Sequence, residues 1–304
     1  YRKIIEAYFT PEHMQAFEPT CREIADALVA EQRRGDPLEL MSAFARPFAL
    51  RIQCAFMGWP DALHAPLGDW MVNNHAATLA GDRAAMAQIA VEFDGHIKQQ
   101  LVVRRDAGER APDDVTTRLV REHINGRPLS DEEIVSIVRN WTVGELGTIA
   151  ASLGILVHYL AVHPALQAEL RQQPENLPDA IDEILRIHAP LIANRRVTTC
   201  PVELGGRKID AGERLTLIWA AANRDEAVFG DPDVFDPERN RDHNLLYGAG
   251  VHVCPGAPLA RLELRLLMES LLANTREITL EAEPAPERAR FPASGFSSLT
   301  VRLN

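Results

Sequence analysis

Residues 245–265 read Leu-Leu-Tyr-Gly-Ala-Gly-Val-His-Val-Cys-Pro-Gly-Ala-Pro-Leu-Ala-Arg-Leu-Glu-Leu-Arg, and the interpretation of the rest of the chain depends on them. Three glycines, Gly248, Gly250 and Gly256, flank Cys254. Glycines at this density let the backbone turn tightly and approach a flat object, because no Cβ is in the way. Pro258 suits a first helical turn, and the leucines that follow share one helix face. The stretch therefore predicts a cysteine-bearing loop that leads into a helix.

Cys254 would lie just ahead of this helix, where the helix dipole and free N–H groups favour a thiolate. No second cysteine or histidine follows at a zinc spacing, so the thiolate suits a metal that brings its own remaining ligands. Haem iron is such a metal. The alternative is a buried cysteine in a turn, which is the usual role of a lone cysteine.

The whole string resembles the cysteine-ligand loop of the cytochromes P450, the haem-thiolate monooxygenases, whose pattern is Phe-x-x-Gly-x-His-x-Cys-x-Gly. Gly250, His252, Cys254 and Gly256 stand in register, and Tyr247 replaces the usual Phe. The resemblance implies that Cys254 ligates the iron of haem b (iron protoporphyrin IX). It also implies that Tyr247, Gly248 and Gly256 line the cofactor; Tyr247 keeps an aromatic plate beside the sulfur but adds a hydroxyl.

Haem propionates need cations or strong donors, because buried carboxylates are otherwise costly. The resemblance supplies three candidates. Arg196 matches the arginine that begins a small sheet, His252 precedes the cysteine by two residues, and Arg2 matches the arginine of a His-x-x-x-Arg signature. For each residue taken alone, a surface salt bridge is the default.

The composition is that of a large globular chain, with 304 residues, 46% hydrophobic and 25% charged. A net charge of −11 argues against nucleic-acid binding. The four cysteines form no Cys-x-x-Cys pair, and neither a signal peptide nor an apolar run of membrane-spanning length is apparent. We therefore predict a cytoplasmic protein without membrane or nucleic-acid partners, folded as one domain over residues 1–304.

The predicted fold is mainly α with a small β part, and the resemblance implies the cytochrome P450 fold. Family members are longer, so we expect an N-terminal portion to be missing before Tyr1. Apolar spacing predicts a helix over 11–33, and the first half is expected to be entirely helical. Alternation around Gly205-Gly206 predicts a small sheet, and residues 278–280 and 299–301 predict a second strand pair.

A capping box of Ser130 and Glu133 opens the longest helix, which is predicted to end near Val162. Gly144 and Gly147 lie in its centre, where each costs about 1 kcal/mol relative to alanine. Two explanations are open. One is close helix–helix packing, and the other is a local opening of the helix over a bound ligand.

By resemblance this is the distal helix over the haem, and Thr148 aligns with the oxygen-activating threonine of the family. The family usually has an acid immediately before that threonine, where this chain has Gly147. Glu145 lies three residues before Thr148 on the same helix side and could replace the acid through water. Equally, it could be a solvated or salt-bridged charge.

Glu183 and Arg186 occupy positions i and i+3 of a predicted helix, a pairing that is common and weak at surfaces. Their order ahead of the cysteine loop resembles the Glu-x-x-Arg pair of the family, with Arg239 as its third member. We assign these three residues a scaffold role. Candidate pocket walls are Val143, Gly144, Gly147, the segment Leu191-Ile192-Ala193-Asn194 and Phe296. The alternative for Val143 and Leu191 is ordinary core.

The resemblance implies a monooxygenase that inserts one oxygen atom from O₂ into a small apolar substrate, with electrons from a reductase or ferredoxin. Two other readings are a peroxygenase driven by H₂O₂, which the missing acid before Thr148 favours, and a non-enzymatic haem sensor or carrier. Residues 139–148 and 253–256 look most like a bacterial subgroup whose haem domain is fused to a phthalate-dioxygenase-type reductase with FMN and a [2Fe-2S] cluster. In that subgroup the expected chemistry is aromatic hydroxylation and O-dealkylation.

Overall fold

A computed structural model describes all residues, 1–304. Thirteen α-helices make up most of the chain. They are α1 (Arg2–Glu6), α2 (Pro11–Ala30), α3 (Arg46–Met57), α4 (His64–Ala80), α5 (Arg83–Ala107), α6 (Val115–Arg121), α7 (Asp131–Val162), α8 (Pro164–Gln172), α9 (Leu177–His188), α10 (Trp219–Ala222), α11 (Glu226–Phe229), α12 (Pro237–Asn240) and α13 (Ala257–Asn274). A π-helical turn, Met41–Ala45, runs directly into α3.

Eleven short strands complete the fold. They are β1 (Pro37–Glu39), β2 (His123–Ile124), β3 (Arg127–Pro128), β4 (Ala193–Val197), β5 (Val202–Leu204), β6 (Arg207–Ile209), β7 (Arg214–Ile218), β8 (Ile278–Leu280), β9 (Glu287–Arg288), β10 (Phe296–Ser298) and β11 (Thr300–Leu303). The prediction of a mainly helical fold with a small β part is confirmed, and the strands expected around Gly205-Gly206 form the antiparallel pair β5–β6.

One expectation about the β part is wrong. The first half is not entirely helical, because β1 and the pair β2–β3 lie in it. The expected C-terminal strand pair is confirmed as β8–β11, and β1 extends it to a three-stranded sheet by pairing with the other side of β11. A three-residue strand carries too little periodicity to be recognised, and β1 is ordered by a partner more than 260 residues away.

Helix α7 is the centre of the hydrophobic core, and α3, α5, α9 and α13 pack around it. It begins with the predicted capping box, since the Ser130 hydroxyl accepts from the N–H of Glu133 while the Glu133 carboxylate accepts from the N–H of Ser130. Contrary to expectation, α7 is long and apolar enough to cross a membrane. Its most apolar window is 67% buried inside the protein, which is typical of a core helix.

A buried ion pair joins α9 to the segment before the cysteine loop. Arg186 donates from Nε and Nη2 to the two carboxylate oxygens of Glu183 at 2.7 and 2.9 Å. It also donates from Nη1 and Nη2 to the carbonyl oxygens of Asn223 and Pro232. Four of the five guanidinium N–H groups are thus used in a site that excludes water, and the Arg186 side chain is 0% exposed.

The third member of this cluster is Asn240 rather than Arg239. The Asn240 amide donates to Glu183 at 2.7 Å, whereas Arg239 points away and donates to Asn240 and to the carbonyl of Asp231. The Arg239 side chain is 43% exposed. An amide satisfies the carboxylate without adding a second buried cation, so the expected place of Arg239 is corrected.

Removal of Arg186 should therefore cost far more stability than removal of Arg239. Arg186→Ala leaves the Glu183 charge buried and unpaired, and we expect a loss of about 3–5 kcal/mol in the free energy of unfolding. Arg239→Ala removes an exposed charge, and we expect a loss below about 1 kcal/mol. Equilibrium urea unfolding of the two variants measures both. Equal losses would place Arg239 in the buried network.

Candidate functional site

A cavity of about 550 Å³ separates α7 from the cysteine loop and the start of α13. It brings together residues that the sequence analysis selected from distant parts of the chain. Its walls include Val143, Gly144, Glu145, Thr148, Leu191, Asn194, Arg196, Tyr247, Gly248, His252, Cys254 and Gly256. Val143 and Leu191 are 52% and 41% exposed, so neither belongs to the ordinary core.

The cysteine loop takes the shape that its glycines predict. Gly248 and Gly250 have left-handed backbones, with φ of 73° and 67°. The N–H of Cys254 donates to the carbonyl of Tyr247 at 2.8 Å, which closes the loop. A Cβ on Gly256 would lie 3.9 Å from the Cys254 sulfur, and α13 begins at the next residue. The sulfur therefore opens onto the cavity beside a helix N-terminus.

The charge state of Cys254 differs from the expectation. Burial raises the pKa of the Cys254 thiol above its usual value, and the Glu145 charge raises it further. The N–H groups of Gly256 and Ala257 and the Arg2 cation act in the opposite direction but do not outweigh burial. The helix N-terminus alone therefore does not hold a thiolate here, whereas coordination to a metal would remove the proton.

Beneath the sulfur, Tyr247 is fixed by two residues that the sequence analysis missed. The Arg261 guanidinium lies over the Tyr247 ring, 4.4 Å from its centroid, and donates to the Asp182 carboxylate at 2.8 and 3.0 Å. Burial raises the pKa of Tyr247 well above its usual value. The added hydroxyl therefore stays protonated. The only signal for this contact in the sequence is that Arg261 lies on the helix that follows the loop.

The central glycines of α7 leave open space rather than a tight helix contact. A Cβ on Gly144 or Gly147 would meet no atom within 4 Å, whereas a Cβ on Gly154 would lie 2.7 Å from the Met41 sulfur. Gly154 is thus the packing glycine of this helix. The helix itself runs unbroken through Gly144 and Gly147, so the ligand space comes from missing side chains and not from a break in the helix.

Glu145 is half-buried and forms no salt bridge. It lines the cavity with Thr148, and its Oε1 is buried without a hydrogen-bond partner. Its neighbour is Glu263 of α13, a residue that the sequence analysis did not select. Burial raises the pKa of Glu145 to about 7, while a hydrogen bond with Glu263 lowers it. A carboxyl with this pKa exchanges protons readily at neutral pH.

Of the three residues predicted to bind the propionates, two line the cavity and one does not. Arg196 and His252 line the cavity; Arg196 donates to the carbonyl of Arg195 and contacts no carboxylate. Arg2 does not line the cavity and is paired with Glu6 at 2.6 Å, although its charge lowers the pKa of Cys254. Two of the three therefore face the space where an anionic group would lie.

A second cavity of about 410 Å³ lies on another side of α7. Val143 borders both cavities, and Gly147 and Phe296 line the second one. Phe296 is buried under the Arg288 guanidinium, 4.3 Å from its ring centroid. Ile192 and Ala193 line neither cavity; the Ile192 carbonyl accepts from the N–H of Ala220. The predicted pocket walls thus belong to two adjoining spaces, apart from Ile192 and Ala193.

The first cavity fits a haem by the chemistry of its donors. It offers one sulfur, two cationic or donor side chains and an open wall at Gly144. The chain has no cluster of three or more His, Cys, Asp or Glu side chains that could hold a metal ion. A metal at Cys254 must therefore bring its other ligands, as haem iron does. Cys254 would hold the iron, and Arg196 and His252 would hold the carboxylates of the cofactor.

Comparison with known proteins decides the family. The sequence model described as "Cytochrome P450" matches residues 55–299. The chain belongs to the cytochrome P450 family. Erythromycin C-12 hydroxylase from Saccharopolyspora erythraea is 31% identical over 290 residues, which are 93% of this chain and 72% of that protein. Nocardicin C N-oxygenase from Nocardia uniformis subsp. tsuyamanensis is 34% identical, over 93% and 71% of the two chains.

Solved structures agree. The open form of the cytochrome P450 EryK from S. erythraea superposes with a TM-score of 0.90 at 29% identity, covering all of this chain and 78% of that one. This P450 is therefore a monooxygenase, an oxidoreductase with a haem cofactor. Like other P450s it acts on a small molecule with O₂ and takes electrons from a redox partner.

Arg196 and His252 are expected to retain the haem in this P450, because they are the donors that face the cavity. The double variant Arg196→Ala/His252→Ala should release haem to apomyoglobin at least about tenfold faster than the parent, the equivalent of one lost charge-assisted hydrogen bond. Arg195→Ala on the neighbouring strand position, which does not line the cavity, is the matched control. A double variant that holds haem as tightly as the parent would remove both residues from this role.

Proposed function

We propose that this P450 binds haem b through Cys254 and inserts one oxygen atom from O₂ into a small apolar, aromatic substrate, by hydroxylation or O-dealkylation. The observation that carries the proposal is the single cavity that holds the Cys254 sulfur on one wall and Gly144, Glu145 and Thr148 of α7 on another. The haem, when bound, supplies the oxygen chemistry. The protein supplies the ligand, a dry space and a source of protons.

The roles of the residues follow from their places. Thr148 lies one helical turn after Gly144 and holds water by its hydroxyl in the space that the glycine leaves. Glu145 supplies protons to that water, because its pKa of about 7 lets it both donate and be recharged near neutral pH. Gly147, which stands where an acid usually precedes the threonine, contributes no proton and leaves the wall open.

An apolar substrate is favoured by the walls of the two adjoining cavities. Val143 and Leu191 supply apolar surface in the first cavity and Phe296 in the second, and the space beside Gly144 admits a flat ring. The names of the relatives cover C-12 hydroxylation, N-oxygenation and hydroxylation with epoxidation, so the fold carries several outcomes. The preference for small aromatic ethers rests on the resemblance of residues 139–148 and 253–256 to the reductase-fused subgroup.

The electron donor is proposed on the same basis. It is a phthalate-dioxygenase-type reductase with FMN and a [2Fe-2S] cluster, fused to the haem domain, or a separate ferredoxin. A peroxygenase that uses H₂O₂ is the second candidate. Gly147 favours it, because an acid is missing directly before Thr148. The carboxyl of Glu145 in the cavity wall favours the O₂ route instead, because that route consumes protons.

Ligation by Cys254 is tested by the spectrum of the reduced protein under CO. Thiolate-ligated haem should give a strongly red-shifted Soret band, and Cys254→Ser should abolish it. Cys200→Ser, which changes an exposed cysteine outside the cavity, should leave the band unchanged. Persistence of the band in Cys254→Ser would refute the ligand assignment.

Proton supply is tested by the coupling of electrons to product, with a small methoxybenzene as substrate and its phenol and formaldehyde as products. Glu145→Gln should lower the yield of phenol per electron about tenfold or more and release H₂O₂, because one general acid is lost. Thr148→Ala should uncouple in the same way, and the double variant should be no worse than the singles, since both interrupt one route.

Peroxide-driven turnover separates the two candidate reactions. Glu145→Gln should leave it largely intact, because H₂O₂ already brings the oxygen and protons that the O₂ route requires. Unchanged coupling in Glu145→Gln would assign the residue to structure and favour the peroxygenase.

A further inference from the structure

Two glutamates lie on packed helices, one on the helix that forms a wall of the cavity and one on the helix that follows the cysteine loop, and each carboxyl shifts the pKa of the other. Glu145 belongs to α7 and Glu263 to α13, 118 residues later. Glu263 is 0% exposed. Neither of its carboxyl oxygens accepts from a backbone, hydroxyl, amide or cationic donor, and neither does Oε1 of Glu145. Side-chain carboxyls are rarely buried in this way unless they are paired.

No cation is available to this pair. Arg22 of α2 and Arg265 of α13 are both engaged by Glu18 and Glu269 at 2.8–3.3 Å, and Arg261 of α13 is engaged by Asp182. The other titratable groups nearby are acids. They are the buried thiol of Cys21 on α2, whose pKa both glutamates raise, and the Tyr247 hydroxyl and Cys254 thiol of the loop.

Two ionised carboxylates in this position would be uncompensated buried charges side by side. Each would carry a large desolvation cost, and their mutual repulsion would add to it. A single proton removes most of that cost, because a protonated carboxyl can donate a hydrogen bond to its ionised neighbour. Two carboxyls held together in this way share their protons.

We infer that Glu263 stays protonated at neutral pH and donates a hydrogen bond to Glu145, so that it acts as the positioning residue for the carboxyl in the cavity wall. The inference rests on the proposed role of Glu145 in proton supply and adds the group that makes it workable. Glu263 touches neither substrate nor cofactor. It acts only through Glu145.

The asymmetry of the pair gives each glutamate its role. Glu145 lines the cavity and can exchange protons with water there, whereas Glu263 lies behind it and cannot. Burial raises the pKa of Glu263 well above its usual value, and the Glu145 charge raises it further. The hydrogen bond from Glu263 lowers the pKa of Glu145 and keeps it near 7. Without this donor, Glu145 would bind its proton more tightly and release it less readily.

The infrared band of protonated carboxyl groups tests the pair directly, in the haem-loaded protein. In the parent at about pH 9, one buried protonated carboxyl should remain, and a second should titrate with a midpoint near 7. Glu263→Gln should remove the persistent band, and Glu145→Gln should remove the titrating one. Glu269→Gln, on the same helix but in ion pairs with Arg22 and Arg265, is the matched control and should remove neither.

A second readout separates positioning from mere structure. Glu263→Gln keeps an N–H donor of the same shape, so coupling of electrons to product should remain within about twofold of the parent. Glu263→Leu keeps the volume without a donor, so coupling should fall about tenfold and its pH midpoint should move upward by about one unit. Rescue by Gln but not by Leu is the signature of the hydrogen bond.

The outcomes are separable from those of the proposed function. The infrared bands depend only on the two carboxyls and would persist if the protein proved to be a peroxygenase. Complete ionisation of every carboxyl in the parent at about pH 9 would overturn the inference, and so would a persistent band that Glu263→Gln leaves in place. If Glu263→Gln does not fold, spectra of the parent and of Glu145→Gln still test the inference. The protonated-carboxyl band expected at about pH 9 must be present in both proteins.

Discussion

Burial of the Cys254 sulfur disfavours the negative charge that a metal ligand carries, and several groups of the site offset this cost. The sulfur lies at the wall of a cavity where desolvation raises its pKa. Backbone N–H groups at the start of α13 and the Arg2 cation oppose this without reversing it. The remaining compensation must come from the metal, so ligand and cofactor depend on each other. The Tyr247 carbonyl closes the loop, and the Tyr247 side chain is held by Arg261 and Asp182.

Features set by local sequence could be predicted. The capping box predicted where α7 begins, and the glycine-flanked Cys254 predicted the loop ahead of α13. The Gly205-Gly206 turn gave the pair β5–β6. In each case the determining residues lie within a few positions of one another, where capping and turn geometry apply without any tertiary contact.

Features that depend on contacts between distant parts of the chain could not be predicted. Asn240 replaces Arg239 beside Glu183 because the backbone after Asp236 turns only one of the two adjacent side chains inward. Both residues are polar, and no spacing distinguishes them. Glu263 reads as one more charge on an amphipathic helix until α7 is packed against it. Its carboxyl is buried by tertiary contact alone, so a local pattern assigns it to the surface.

In this chain the acid lies at position 145 and not at position 147, directly before Thr148. This difference has a physical consequence. An acid at position 147 would project toward the second cavity, whereas Gly147 leaves that space open. Glu145, nearly one helical turn earlier, needs water to reach the threonine hydroxyl. Water in an otherwise apolar cavity needs polar partners to stay. Thr148, Glu145 and Asn140 of the same helix provide them. Glycine at positions 144 and 147 of α7 therefore opens the wall that admits a substrate, and glutamate at position 145 provides the proton route.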